Sequence, residues 1–212
     1  VRGCVGGTLA CQSMPYAYYP FEEGGGEVAY NMAIEGHSAN VYSTSWKAGR
    51  FGGGNSAGVN KFKLPLPANF FDAGAIAFWF KSNQSLNSLP QMLVQGVPHF
   101  RLAVSNGDLR FDSPGPTGNL IGRASAHLQK DVWSHVVMSW SPAGGGQELL
   151  VVTIDGIEAG SVTVDLGTTD TVYLAGKGTY DEVVVYDRAI TASEIGALGK
   201  GELPANQRVR EV

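Results

Sequence analysis

The stretch FRLAVSNGDLRFD, residues 100–112, consists of two short runs of alternating side chains on either side of Asn106-Gly107. Asn-Gly is the strongest short-range signal for a two-residue hairpin turn, because both central positions of that turn take positive φ. Placing the turn there pairs Val104 with Leu109, Leu102 with Phe111 and Arg101 with Asp112. Apolar residues then meet apolar ones and opposite charges meet, as a strand pair with one buried face requires. Phe100, Leu102, Val104, Leu109 and Phe111 share the buried face, while His99, Arg101, Asp108, Arg110 and Asp112 share the face turned to solvent.

The same period extends outward along the chain. Asp155-Gly156 is a second hairpin signal, pairing Ile154 with Ile157 and Val152 with Ala159. AIAFWFK (75–81), WSHVVMSW (133–140), ELLVVTI (148–154), IEAGSVTV (157–164) and DEVVVYD (181–187) also read as strands. One segment, TASEIGALG (191–199), is helical: Thr191 and Glu194 form a capping-box pattern, Ile195 and Leu198 a short apolar stripe, and Gly199 a stop. The expected fold is all-β, an antiparallel two-sheet sandwich with one short C-terminal helical turn at its surface.

With 212 residues and 43% hydrophobic content, the chain can bury one sizeable core. The expected organisation is an N-terminal extension (1–15), one domain (16–198) and a polar tail or linker (199–212). A net charge of -4 without Lys/Arg clusters excludes a nucleic-acid footprint. The apolar stretch AGAIAFWF is too short to span a bilayer, and VRGCVGGTLAC lacks the layout of a signal peptide, so any signal is expected to have been removed. Glycine, at 29 residues, clusters in turn-like groups. Cys4 and Cys11 enclose a small Gly-rich loop; a disulfide is favoured over two free thiols, given the secreted-looking composition.

In GTYDEVVVYDRAITASEI (178–195), strict alternation puts Asp181 on the same face as Val183 and Val185, which read as core. An inward carboxylate needs a cation, several N–H donors or a proton.

Taken together, YYPFEEGGGEVAYNMAIEGHSANV (18–41), SWKAGRFGGG (45–54), AIAFWFK, NGDLRF (106–111), WSHVVMSW, VTIDG (152–156) and YDEVVVYDRAITASEI (180–195) resemble the laminin-G-like, concanavalin A-like jelly rolls of bacterial extracellular proteins. The resemblance runs from about Tyr16 to Leu198. It implies a jelly-roll sandwich, a secreted or cell-surface location and, for many members, glycan binding or a structural calcium. On the positions matching the family pattern, Glu22, Asn31 and Asp181 would be the oxygen donors for that calcium. The alternative is that Asp181 accepts backbone N–H bonds and pins the last strand to the start of the chain.

The catalytic signatures of this fold are absent. The glucanase pattern E-x-D-x-x-E does not occur, and the nearest stretch, EEGGGE (22–27), is interrupted by a triple glycine. The lyase Q-x-H and Y-x-K-x-G-x-Y pair is missing too. His37, His99, His127 and His135 are scattered, without zinc spacing. The four tryptophans fall in packing contexts. The polar face of the 100–112 hairpin, with His99, Arg101, Arg110 and Asp112, is therefore the candidate ligand surface. The expected function is a non-catalytic, lectin-like carbohydrate-binding module; a protein-binding adhesion domain and a divergent polysaccharide-active enzyme are the alternatives.

Overall fold

The structure, a computed structural model, describes residues 14–33, 37–41, 45–56, 62–85, 91–97, 101–106, 108–112, 119–123, 128–167 and 171–202. Cys4, Cys11, His99, Phe100 and Gly107 lie outside the described residues. The strands, in chain order, are β1 (Ala17–Tyr19), β2 (Val28–Ala29), β3 (Ala39–Asn40), β4 (Ser45–Ala48), β5 (Gly53–Ser56), β6 (Phe62–Leu64), β7 (Gly74–Ser82), β8 (Gln91–Val97), β9 (Arg101–Ser105), β10 (Asp108–Asp112), β11 (Asn119–Arg123), β12 (Trp133–Gly144), β13 (Gln147–Ile154), β14 (Ile157–Val164), β15 (Thr171–Leu174) and β16 (Gly178–Tyr186); α1 is Ala192–Leu198.

Every strand pairing is antiparallel. One layer runs β4-β5-β16-β7-β12-β13-β14, with β1 also on β16, and the other runs β11-β10-β9-β8-β15-β6. The single pair Gly122↔Gly160 joins them. Between the layers lies one apolar core: Ile76, Phe78, Phe80, Val136, Met138, Leu150 and Val152 from the first layer face Leu102, Val104, Leu109, Phe111, Val172 and Leu174 from the second. Tyr180 also crosses the core. Its hydroxyl donates to the Leu93 carbonyl of β8 at 2.8 Å and accepts from Gly176 N at 2.6 Å, so its burial leaves no polar atom unpaired.

Asn106 and the dipeptide Asp155-Gly156 lie at turns. Asn106, Asp155 and Gly156 have φ of 51°, 53° and 79°, and β9 and β10 take the expected register. The second hairpin requires a correction. Ile154 pairs with Ile157 as expected, but Val152 pairs with Gly160 rather than Ala159, because a bulge between Val152 and Thr153 inserts one residue on β14. The helix has the expected capping box, and its position is more than a surface turn. Its Leu198 closes a second small core on the outer face of the first layer, over Ala75, Ala77, Val137, Val184 and Tyr186.

A second bulge changes the reading of Asp181. Tyr180 pairs with Phe80 and Asp181 with Trp79, yet Val184 already pairs with Ala77, so β16 carries one extra residue centred on Glu182, whose φ is 51°. Parity flips across it. Val183 and Val185 belong to the core between the layers, but Asp181 lies on the opposite, outer face with Trp79. It is nevertheless fully buried, because the turn joining β4 to β5 folds down over it. Asp181 Oδ2 accepts from the backbone N–H groups of Arg50 at 2.6 Å and Phe51 at 2.9 Å, and Oδ1 accepts from Glu182 N at 2.8 Å. Hydrogen bonds to a charged acceptor contribute about 1.5–3 kcal/mol each, so three of them offset part, but not all, of the several kcal/mol of burying one carboxylate.

The approach of that turn is what the glycines of GRFGGG (49–54) permit. A Cβ on Gly49 would land on the Gly53 carbonyl oxygen and 2.6 Å from Asp181 Oδ2, and one on Gly52, at φ 83°, would sit 2.5 Å from Glu22 Oε1. Gly49→Ala is therefore expected to destabilise the fold by about 3 kcal/mol or more, since backbone cannot retreat as a flexible side chain can. Gly25→Ala, where nothing lies within 4 Å, is the control and should be near neutral. Equal melting temperatures for the two variants would contradict this packing.

Candidate functional site

The hairpin predicted from residues 100–112 sits in the middle of the second layer, and its neighbours extend both of its faces. Inward, Phe111, Leu102, Val94, Leu174 and Phe62 form one cross-strand row, all fully buried. Directly paired residues point to the same side, so the next row outward reads Arg101, Gln95, Tyr173 and Lys63 across β9, β8, β15 and β6. Arg110, Ala103 and Met92 form the row beside it. Arg101 and Arg110 are exposed, as expected, and Arg110 pairs with Asp108 at 3.6 Å. The backbone of Asp112 lies opposite Arg101.

Sequence reading missed Gln95 and Tyr173. Gln95 is half-buried between Arg101 and Tyr173 in this row, and its Oε1 is buried without a hydrogen-bond partner among the described residues. Tyr173 is half-buried and its Cα partners are Gln95 and Lys63. The alternation in TVYL (171–174) was the available signal for both the strand and the outward tyrosine. This face thus combines cations, an amide and an aromatic ring, the side-chain types that recognise hydroxylated ligands.

The predicted calcium donors are placed near the β16 bulge, each in contact with the backbone. Glu22 accepts from Gly53 N at 3.1 Å, and Asn31 Oδ1 accepts from Tyr18 N and Ala33 N, both at 2.9 Å, occupying the two lone pairs of that oxygen. Glu182, not singled out in the sequence, accepts from the Tyr18 hydroxyl at 2.6 Å. No group of three or more His, Cys, Asp or Glu side chains is arranged to hold a metal among the described residues.

The electrostatics of the bulge are dominated by burial. Burial raises Asp181 to about 6 against the pull of its three N–H donors, with Glu22 adding to the rise. Burial raises Glu182 to about 7; the Tyr18 hydroxyl opposes this, and the charges of Asp181 and Glu22 add to it. Tyr18 itself is pushed up, first by burial and then by Glu182.

Both acids hold protons more tightly in the folded state, so the folded chain binds more protons than the unfolded one between about pH 4 and 7. This part of the stability is complete below the unfolded carboxylate range and is lost as pH rises through 6 and 7. Wild type is expected to lose about 3 kcal/mol relative to Glu182→Gln between pH 4 and 8, at about 1.4 kcal/mol per unit of pKa difference. Glutamine keeps an acceptor for Tyr18. Parallel denaturation curves for the two proteins across that range would contradict the proton linkage.

The tryptophans mostly pack, as the sequence suggested. Trp140 donates to the Phe70 carbonyl at 2.8 Å and meets Phe70 edge-on, Trp46 donates to the Gly26 carbonyl, and Trp133 lies under Lys81 Nζ at 4.9 Å. His135 is buried within β12, and burial lowers it to about 4, so its ring is neutral.

Comparison with known proteins places this geometry. The domain resembles domain 4 of AbnA, an extracellular GH43 arabinanase of Geobacillus stearothermophilus solved in complex with arabinotriose, at TM-score 0.63 and 17% identity over 89% of this chain and 99% of that one. It also resembles the receptor binding domain of the botulinum neurotoxin C/D mosaic serotype, at TM-score 0.67 and 13% identity, and the binding domain of Paraclostridial Mosquitocidal Protein 1, at 0.62 and 13%. In both, 90% of this chain matches 52% of the other, so the chain spans about half of those domains. Among curated protein sequences, none matches. The laminin G model described as concanavalin A-like lectin/glucanases superfamily matches residues 51–196, more than half of the sequence. With its antiparallel sandwich and closing β16-α1 segment, the chain belongs to the concanavalin A-like lectin/glucanase superfamily.

Proposed function

We propose that this chain is a non-catalytic carbohydrate-binding module, acting outside the cell, whose ligand lies across the outer face of the second layer. The observation that carries the reading is the row Arg101, Gln95, Tyr173 and Lys63, with an unpartnered Gln95 Oε1 at its centre. A sugar hydroxyl donates to that oxygen while accepting from an arginine, and a tyrosine ring offers an apolar surface to the sugar's C–H face. The complex of the arabinanase domain with arabinotriose supports the ligand class. Non-catalytic action is supported by the missing glutamate pair and by Asp108 being engaged with Arg110 on this face. Of the two readings of Asp181, the backbone hydrogen-bond reading is preferred to a structural calcium on Glu22, Asn31 and Asp181, because Asp181 accepts from Arg50, Phe51 and Glu182, Glu22 from Gly53, and Asn31 from Tyr18 and Ala33.

A glycan array that includes arabino-oligosaccharides identifies the ligand, and calorimetry with the best hit tests the face. Arg101→Ala and Tyr173→Ala are each expected to weaken binding about 10- to 100-fold, the range of one hydrogen bond to a charged group or one stacked ring, with unchanged melting temperature. Undiminished affinity in both variants, or an array without hits, contradicts the proposal.

A further inference from the structure

The opposite side of the molecule holds polar atoms that the proposed glycan face does not use. On the outer face of the first layer, Trp79 and His135 are paired across β7 and β12, with ring centroids 5.4 Å apart. Both are more than nine-tenths buried. Neither Trp79 Nε1 nor His135 Nδ1 has a hydrogen-bond partner among the described residues. Phe51 packs edge-on against Trp79, and the Arg50 guanidinium lies 5.0 Å from its ring centroid, so the turn held by Asp181 fixes the indole.

Above this pair is a cavity of about 210 Å³, walled by Asp155 of the hairpin tip and by Gly196, Gly199 and Lys200 at the end of α1. Asp155 is itself pinned, accepting from His135 N and donating its own N–H to the His135 carbonyl, both at 2.8 Å. Beyond Ile195, which lines both spaces, is a cavity of about 230 Å³ over Val137, Ser139 and Thr153. Thr153 Oγ1 is buried and unpartnered as well. Buried polar atoms without partners are rare in native proteins; two of them belong to residues that line the first cavity and a third to a residue that lines its neighbour across Ile195.

Gly196 of α1 lines the first cavity. Glycine is an unfavourable residue inside a helix, and a Cβ at this position would meet nothing within 4 Å. Packing within the domain therefore does not demand a glycine there, and a larger side chain at this exposed position would stand beside the cavity that Gly196 lines. The helix that carries it is firmly placed by its capping box, by the Arg188–Glu194 ion pair and by Ile190 N donating to Ser139 Oγ at 3.1 Å.

We propose that this groove beside α1 is a second binding site, which takes a neutral saccharide of one or two rings, with one ring against Trp79 and His135. The polar groups dictate the class. Trp79 Nε1 only donates and so needs an acceptor, while a neutral His135 and the Thr153 hydroxyl are matched by groups that both give and accept. Hydroxyl groups do both. Asp155 and Lys200, of opposite charge at the rim, favour a ligand with no net charge, and the remaining walls are apolar or glycine. The cavity lies below the roughly 300 Å³ at which drug-sized pockets begin, which suits a single sugar ring. This site is independent of the one on the second layer.

The test is a titration of the ¹⁵N-labelled protein with neutral sugars (glucose, galactose, arabinose, xylose, maltose and lactose) and with glucuronate as the charged control, each to about 50 mM because ligands this small bind in the millimolar range. The readout is the Trp79 indole N–H resonance, identified by its absence in Trp79→Phe. At least one neutral sugar is expected to move it saturably. Gly196→Leu, a better helix former, should keep or raise the melting temperature while weakening the response at least about tenfold. Thr153→Val, of the same shape without the hydroxyl, should be as stable as wild type or more so, yet bind less well. Arg101→Ala should leave the response intact. No shift with any neutral sugar, a shift with glucuronate alone, an undiminished response in both Gly196→Leu and Thr153→Val, or its loss in Arg101→Ala would each overturn the assignment.

Discussion

The carboxylate of Asp181, buried under a glycine turn and accepting three backbone N–H groups, is the constraint from which the outer face of the first layer follows. The bulge at Glu182 turns Asp181 away from the main core and also divides the edge of β16. Before the bulge β16 pairs with β5 through Tyr180 and Asn55; after it, with β1 from Val183 to Val185. One strand thereby holds both the first strand and the β4–β5 hairpin, and the carboxylate at the changeover fastens the hairpin's turn. Phe51 and Arg50 follow from that turn, and Trp79 from them.

The two layers consequently present different outer faces. The second layer shows an open sheet whose rows come from simple cross-strand pairing, so its chemistry is the sum of alternating side chains. The first layer is covered by α1 and by the β4–β5 turn, so its chemistry lies in the gaps left beneath them. A broad, wet row of arginine, amide and tyrosine suits an extended ligand, whereas a small groove floored by indole and imidazole suits a short one.

Much of this was legible in the sequence because local rules decided it. Asn106-Gly107 fixed the β9–β10 register, and with it the outward direction of Arg101 and Arg110, since a turn type and a buried face leave one solution. The capping box at Thr191 and Glu194 was legible for the same local reason. The bulges were not. Alternation has no place for an extra residue, and Glu182 carries no glycine to announce one, whereas Gly160 beside the β14 bulge was the available signal for the other; hence Asp181 was assigned to the wrong face and Val152 to the wrong partner. Gln95 and Tyr173 escaped because their importance comes from strands distant in sequence that pair only in the folded sheet. Trp79 read correctly as a packed residue, but that it and His135 would each keep an unpartnered nitrogen among the described residues depends on where α1 lands, which no local pattern encodes.

The central claim, that Asp181 holds the β4–β5 turn onto the outer face, is tested most directly by amide hydrogen exchange at Arg50 and Phe51 in wild type and in Asp181→Ala, with the amides of β9 and β10 as the internal reference. The account predicts that Arg50 and Phe51 are protected in wild type and lose about 10- to 100-fold of that protection, relative to β9 and β10, when the carboxylate is removed. Equal relative protection of these two amides in both proteins would contradict it.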